Sequence, residues 1–78
     1  MYFPPPCNAL HTVGMKFPID IVFIDLYGRV VDLIENMAPG NQASCPAAYS
    51  ALELPTGAIR GSGTQRGDAL SFEYLAPV

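Results

Sequence analysis

The strongest hydrophobic pattern in the chain lies between positions 19 and 26. Ile19, Ile21, Val22, Phe23, Ile24 and Leu26 are β-branched, aromatic or aliphatic, and only Asp20 and Asp25 interrupt them. A half-exposed strand would alternate, so a near-continuous apolar run of this length predicts a strand buried on both faces. Tyr27-Gly28 offers a turn. Residues 29–37 follow, with Val30, Val31, Leu33, Ile34 and Met37 set among Asp32, Glu35 and Asn36. The short connection makes an antiparallel hairpin the natural pairing.

Around this hairpin the signals are shorter. Residues 1–6 predict an edge strand running into polyproline II, because Pro4, Pro5 and Pro6 lack the donors a central strand needs. Residues 10–17 read as a strand with a bulge or close backbone approach at Gly14, and Pro18 keeps Phe17 extended. The Ala-Pro-Gly-Asn-Gln-Ala-Ser composition of residues 38–44 predicts a loop. Residues 47–54 read as a strand with Tyr49, Ala51, Leu52 and Leu54 as inward candidates, ended by Pro55-Thr56-Gly57. Glycines limit residues 57–63 to at most one short helical turn. After a turn at Gln65-Arg66-Gly67-Asp68, Leu70, Phe72 and Tyr74 mark a last strand over residues 69–75. Five to six short strands with many turns predict a mainly β fold. The expected architecture is a small barrel-like or sandwich-like antiparallel or mixed sheet, in one domain spanning 1–78.

Composition sharpens this picture. A chain of 78 residues buries only about 60% of the surface its unfolded form exposes, so a partner subunit, a disulfide or a metal would help it. Half of the residues are hydrophobic and 14% are charged, an apolar balance that favours covering some surface with another copy or another protein. Lys16, Arg29, Arg60 and Arg66 are scattered and the net charge is −3, so the clustered positive charge of a nucleic-acid footprint is missing. No apolar run approaches the ~20 residues of a membrane span. The start of the chain has neither the basic nor the apolar region of a signal peptide, which predicts a cytoplasmic protein. Cys7 and Cys45 are too few for a disulfide framework. A bridge between them would close about 38 residues and add ~4 kcal/mol in the chain-entropy model, although a reducing cytoplasm would keep it open.

The chemically capable side chains are Cys7, His11, Thr12, Asp20, Asp25 and Cys45. Residues two apart in a strand share a face, so a strand over 10–17 would align His11, Val13 and Met15. Asp20 would share a face with Val22 and Ile24 and could meet His11 across strands. A carboxylate–imidazole pair of this kind orients a histidine for acid–base work or metal binding. The structural alternative is a half-buried His11 that holds a loop through backbone hydrogen bonds, since spacing fixes no nucleophile or second acid beside it. His11, Thr12, Met15, Asp20 and Asp25 form the candidate binding site. Asp25 before Tyr27-Gly28 is more simply a turn residue, and Met15, Phe17 and Phe23 read as core. Cys7, His11 and Cys45 are zinc-type ligands, but Cys-x-x-x-His in an extended segment separates its ligands too far for easy chelation without a turn at Asn8-Ala9. No cofactor or metal is expected.

The run His11-Thr12-Val13-Gly14-Met15-Lys16-Phe17-Pro18-Ile19-Asp20 resembles the central signature of the DUF192 family, small and mainly bacterial and archaeal proteins. The resemblance continues through Val22-Phe23-Ile24-Asp25, Gly28-Arg29-Val30-Val31, Cys45-Pro46-Ala47-Ala48, Leu52-Glu53-Leu54-Pro55-Thr56-Gly57 and Gly67-Asp68-Ala69-Leu70, in family order. Pro5-Pro6-Cys7-Asn8 fits the variant with a cysteine just before the signature. The resemblance implies a compact β-rich, barrel-like domain and no assigned activity. Family members usually carry a further N-terminal segment before the position of Met1 and a short helix after the position of Gly57. Without the former, an unpaired sheet edge is a template for another chain, so a homodimer through that edge is expected. The combined reading is a non-enzymatic module that binds a partner protein or a small ligand through the His11–Asp20 end of the sheet. The alternatives are a hydrolase or redox protein using His11 with Cys7 or Cys45, and a structural metal-binding domain.

Overall fold

The computed structural model describes residues 2–3 and 5–69. Among them are β1 (Tyr2–Phe3), β2 (Ala9–His11), β3 (Ile19–Ile24), β4 (Val30–Met37), β5 (Gln42–Ser44), β6 (Ser50–Pro55) and a short helix, α1 (Ala58–Ser62). Four strands form an antiparallel sheet in the order β1-β6-β3-β4, and β2 pairs with β5 in a second, two-stranded antiparallel sheet. The fold is mainly β, as the pattern predicts. Among the described residues both sheets are open, so the barrel-like version of the expectation gives way to two separate sheets.

β3 is the strand that the apolar run predicts. All six of its residues are buried, and it pairs on one edge with β6 and on the other with β4. Alternation then sorts its side chains into two layers. Ile19, Ile21 and Phe23 enter a cluster with Met37, Cys45 and Ala51, which Leu10 of β2 and Ala43 of β5 cover. Val22 and Ile24 enter a second cluster with Val30 and Ile59, flanked by Tyr2, Leu33, Leu52 and Leu54. The small sheet therefore roofs one face of the large sheet, and α1 sits on the other. A fully buried side chain of this size contributes about 1.5–3 kcal/mol over leaving it in water, so one strand anchors both layers.

Several expected boundaries move, each for a physical reason. The strand expected over 10–17 stops at His11. The amide of Met15 turns back to the carbonyl of Thr12 at 3.1 Å, and Gly14 sits at φ 88°, a left-handed conformation that suits a residue without Cβ. His11, Val13 and Met15 are therefore not aligned on one strand face. The loop expected over 38–44 contains β5. Pairing with β2 and packing of Ala43 on the core override its loop-like composition. The strand expected over 47–54 begins at Ser50, after a turn in which the Ala48 amide bonds the Cys45 carbonyl at 2.8 Å. Tyr49 lies outside that strand and is 43% exposed rather than inward. The short helical turn expected within 57–63 is α1. The strand expected over 69–75 lies outside the described residues except for Ala69, which bridges Arg29.

Candidate functional site

The residues of the expected site fall into two groups, and most of their polar atoms are used internally. Asp20 is fully buried. One carboxylate oxygen accepts the amide of Asn36 at 2.9 Å and the other accepts the amide of Ile59 at 2.9 Å. Each bond has a local cause. Between the Ile19–Met37 and Ile21–Ile34 pairs, β4 spends one residue more than β3. This bulge leaves Asn36 at φ 55°, with its amide free for a side-chain acceptor. α1 is preceded by Gly57, which cannot cap it with a side chain and is in a left-handed conformation at φ 92°. The first amides of a helix lack intrahelical partners, and Asp20 supplies one from the neighbouring strand. A single carboxylate thus joins β3, the β4 bulge and the helix start.

Thr12 is also fully buried. Its hydroxyl donates to the Ala38 carbonyl at 2.8 Å and accepts the Asn41 amide at 3.0 Å, while its own amide bonds the Asn41 carbonyl at 2.8 Å. It ties the end of β2 to the turn before β5. One oxygen of Asp25 accepts the amides of Tyr27 at 2.8 Å and Arg29 at 2.9 Å, so Asp25 shapes the β3–β4 turn. His11 is exposed on β2 opposite Gln42. It belongs to the small sheet, on the face of β3 opposite the one that carries Asp20. The expected His11–Asp20 pair does not form, because both Asp20 oxygens bond backbone amides on the α1 side. His11 instead lines a shallow depression of about 310 Å³ with Ala9, Leu10, Gln42, Ala43 and Ser44.

Cys7 is half-buried and Cys45 buried, and both are free thiols. Among the described residues no three of His, Cys, Asp and Glu converge as a metal-holding group. At the surface, Arg66 bonds Asp32 at 2.7 Å. This hydrogen bond, helped by the Leu33 amide at 2.9 Å, holds the Asp32 carboxyl below the usual carboxylate range.

A different concavity stands out at the far end of β3 and β6. It measures about 390 Å³ and is lined by Met15, Phe17, Pro18, Ile19, Glu53, Leu54, Pro55 and Thr56. Of the expected site, only Met15 is in it. Phe17, read from the sequence as core, is 61% exposed, because the chain leaves β2 at His11 and carries Phe17 over the sheet end instead of into the strand. The pairing of Ile19 with Pro55 sets the two walls side by side. Leu54 and Pro55 carried no separate signal, since only strand pairing brings them to the Phe17-Pro18 step.

The sequence profile of DUF192, described as an uncharacterized ACR, matches residues 1–72. The chain belongs to the DUF192 family. A crystal structure of a protein of unknown function from Novosphingobium aromaticivorans, determined at 1.22 Å, is similar, with a TM-score of 0.71 and 24% sequence identity. The likeness covers 83% of this chain and 49% of that one, so the chain spans about half the length of that structure. It shows a shared fold. No curated protein matches the chain. Within this DUF192 domain, the stretch from His11 to Asp20 that carries the resemblance does identifiable folding work. Thr12 fastens a turn, Gly14 reverses the chain and Asp20 receives two amides. Among the described residues no helix is long and apolar enough to cross a membrane.

Proposed function

We propose that this DUF192 domain is a non-enzymatic binding module that takes a small apolar molecule in the Met15–Pro18 and Leu54–Pro55 groove. One contrast carries the reading. Asp20, Thr12 and Asp25 direct their polar atoms at backbone groups of the fold, whereas Phe17 leaves most of its ring in solvent beside a concave wall. Small-molecule sites are concave, mostly apolar and of roughly 300–1,000 Å³, and the groove's 390 Å³ is within that range. Glu53 and Thr56, whose hydroxyl donates to Asn36 Oδ1 at 3.0 Å, stand at its edge. The partner-binding side of the same reading is a homodimer through β4, which ends the four-stranded sheet among the described residues. Its first residue, Val30, already bonds Gly67 and Asp68, so the edge offered is the part after Val30. Sedimentation velocity across a concentration series tests that dimer, and a monomer throughout would remove it.

The groove is tested with the neutral fluorophore N-phenyl-1-naphthylamine. Saturable binding to the native protein is expected. Phe17→Ser should weaken it at least about tenfold, because loss of a buried phenyl contact is worth ~1.5–3 kcal/mol. Tyr27, 82% exposed on the β3–β4 turn and away from the groove, provides the control, and Tyr27→Ser should bind as the parent does. Equal affinity in Phe17→Ser and the parent would refute the site.

A further inference from the structure

We propose that Cys7 and Cys45 form a redox pair that closes to an intramolecular disulfide. Two backbone bonds lay their segments against each other, and a third closes the turn after Cys45. The Cys7 amide donates to the Tyr49 carbonyl at 2.9 Å, the Cys45 amide to the Asn8 carbonyl at 2.8 Å, and the Ala48 amide to the Cys45 carbonyl at 2.8 Å. Residues 7–8 therefore run along the turn over 45–48. The β2–β5 register leads to the same neighbourhood: Ala9 faces Ser44, which sets Asn8 against Cys45 and Cys7 one residue further on. Both cysteines also enter one apolar cluster, Cys45 as a buried member and Cys7 packed against it. Directly opposed residues in an antiparallel ladder have Cα atoms about 4.5–5.5 Å apart, and a disulfide accepts roughly 4.4–6.8 Å. Strict alternation would put side chains offset by one residue on opposite faces, but the Cys7–Tyr49 bond takes Cys7 out of the ladder, and both side chains reach the same apolar cluster.

The two thiols differ in access, which orders the chemistry. Cys7 is half-buried, with its sulfur 3.7 Å from the Ala9 carbonyl oxygen, whereas Cys45 is 9% exposed. A small disulfide such as oxidised glutathione meets Cys7 first. The Cys7 thiolate attacks one sulfur of the oxidant and releases a glutathione thiolate, which takes up a proton. Cys45, after losing its proton to solvent, attacks the Cys7 sulfur of the mixed disulfide and expels the second glutathione. Two protein thiols are oxidised to one disulfide, and the oxidant is reduced to two thiols. The product fastens the segment before β2 to the segment after β5. All of β2 to β5 then lies inside the covalent loop.

The test treats the full chain with excess oxidised glutathione at mildly alkaline pH and reads intact mass and a non-reducing peptide map. The expected product is a monomer lighter by two hydrogens, with a Cys7–Cys45 cross-linked peptide. Its Tm should rise by about 8 °C or more, since a loop of this length restricts the unfolded chain strongly, and dithiothreitol should reverse the rise. Cys45→Ala should stop at one glutathione on Cys7, and Cys7→Ser should leave Cys45 at least about tenfold slower to react than Cys7. Wild-type protein that retains glutathione on Cys7 with Cys45 free, keeps both thiols, or bridges only between chains overturns the proposal. The wild-type map decides even if a variant fails to fold.

Discussion

Asp20→Ala removes one side chain and strands two backbone amides. The amide of Ile59 sits in a buried hydrogen bond and Ile59 is 4% exposed, so water cannot easily replace the lost acceptor. Leaving such a donor unsatisfied costs about 1–3 kcal/mol. The amide of Asn36 belongs to an exposed residue of the bulge, where water can substitute, and its share is the ordinary net worth of a hydrogen bond, ~0.5–1.5 kcal/mol. Together the loss is about 2–4 kcal/mol, with the smaller half at the bulge. For a domain of this size each kcal/mol moves Tm by roughly 4–8 °C, so the expected drop is on the order of 10–30 °C. Asp20→Asn keeps one carbonyl acceptor but turns an amide NH2 toward the other donor, and should lie between Asp20→Ala and the parent. Thermal unfolding by circular dichroism gives the Tm. Native-state hydrogen exchange adds the local readout: Ile59 and Asn36 should lose protection in Asp20→Ala beyond the global change. A Tm within about 3 °C of the parent, or an Ile59 amide exchanging as before, would refute the assignment of Asp20 as the join between β3 and α1.

Thr12→Val keeps the shape of a buried side chain and removes its hydroxyl. Destabilisation of about 1–3 kcal/mol by urea unfolding is expected, with Thr12→Ser close to the parent, because the Asn41 amide and Ala38 carbonyl lose their partner. Arg66→Ala breaks an ion pair whose side chains are 70% and 31% exposed, so it should cost less than about 1 kcal/mol and less still in high salt. The folded Asp32 carboxyl titrates below its unfolded value, so its small contribution is complete above the unfolded pKa and disappears as pH falls through the lowered folded value. Unfolding free energies of the parent and Arg66→Ala should therefore differ at neutral pH and converge in acid.

The fold and the site differ in how far local sequence reveals them. The apolar run over β3 is readable because burial on both faces requires apolar residues at nearly every position, and few other arrangements demand a pattern that dense. The turn role of Asp25 is readable because the partners of its carboxylate are two and four residues away. Thr12 and Asp20 read locally as chemistry, yet their bonds reach 16 to 39 residues along the chain. The 39-residue reach of Asp20 to Ile59 leaves no trace in local spacing.

Side-chain periodicity and short connections were enough to establish the β class and the central hairpin, and the ordered motifs were enough to place the family. Long-range pairing settled the rest: where β2 ends, that residues of an apparent loop become β5, that Phe17 faces solvent, and that the polar members of the expected site support the fold. These outcomes depend on which backbone groups find partners across the chain. An unpaired buried amide costs as much as several local preferences combined, so the partners, once found, override the local pattern.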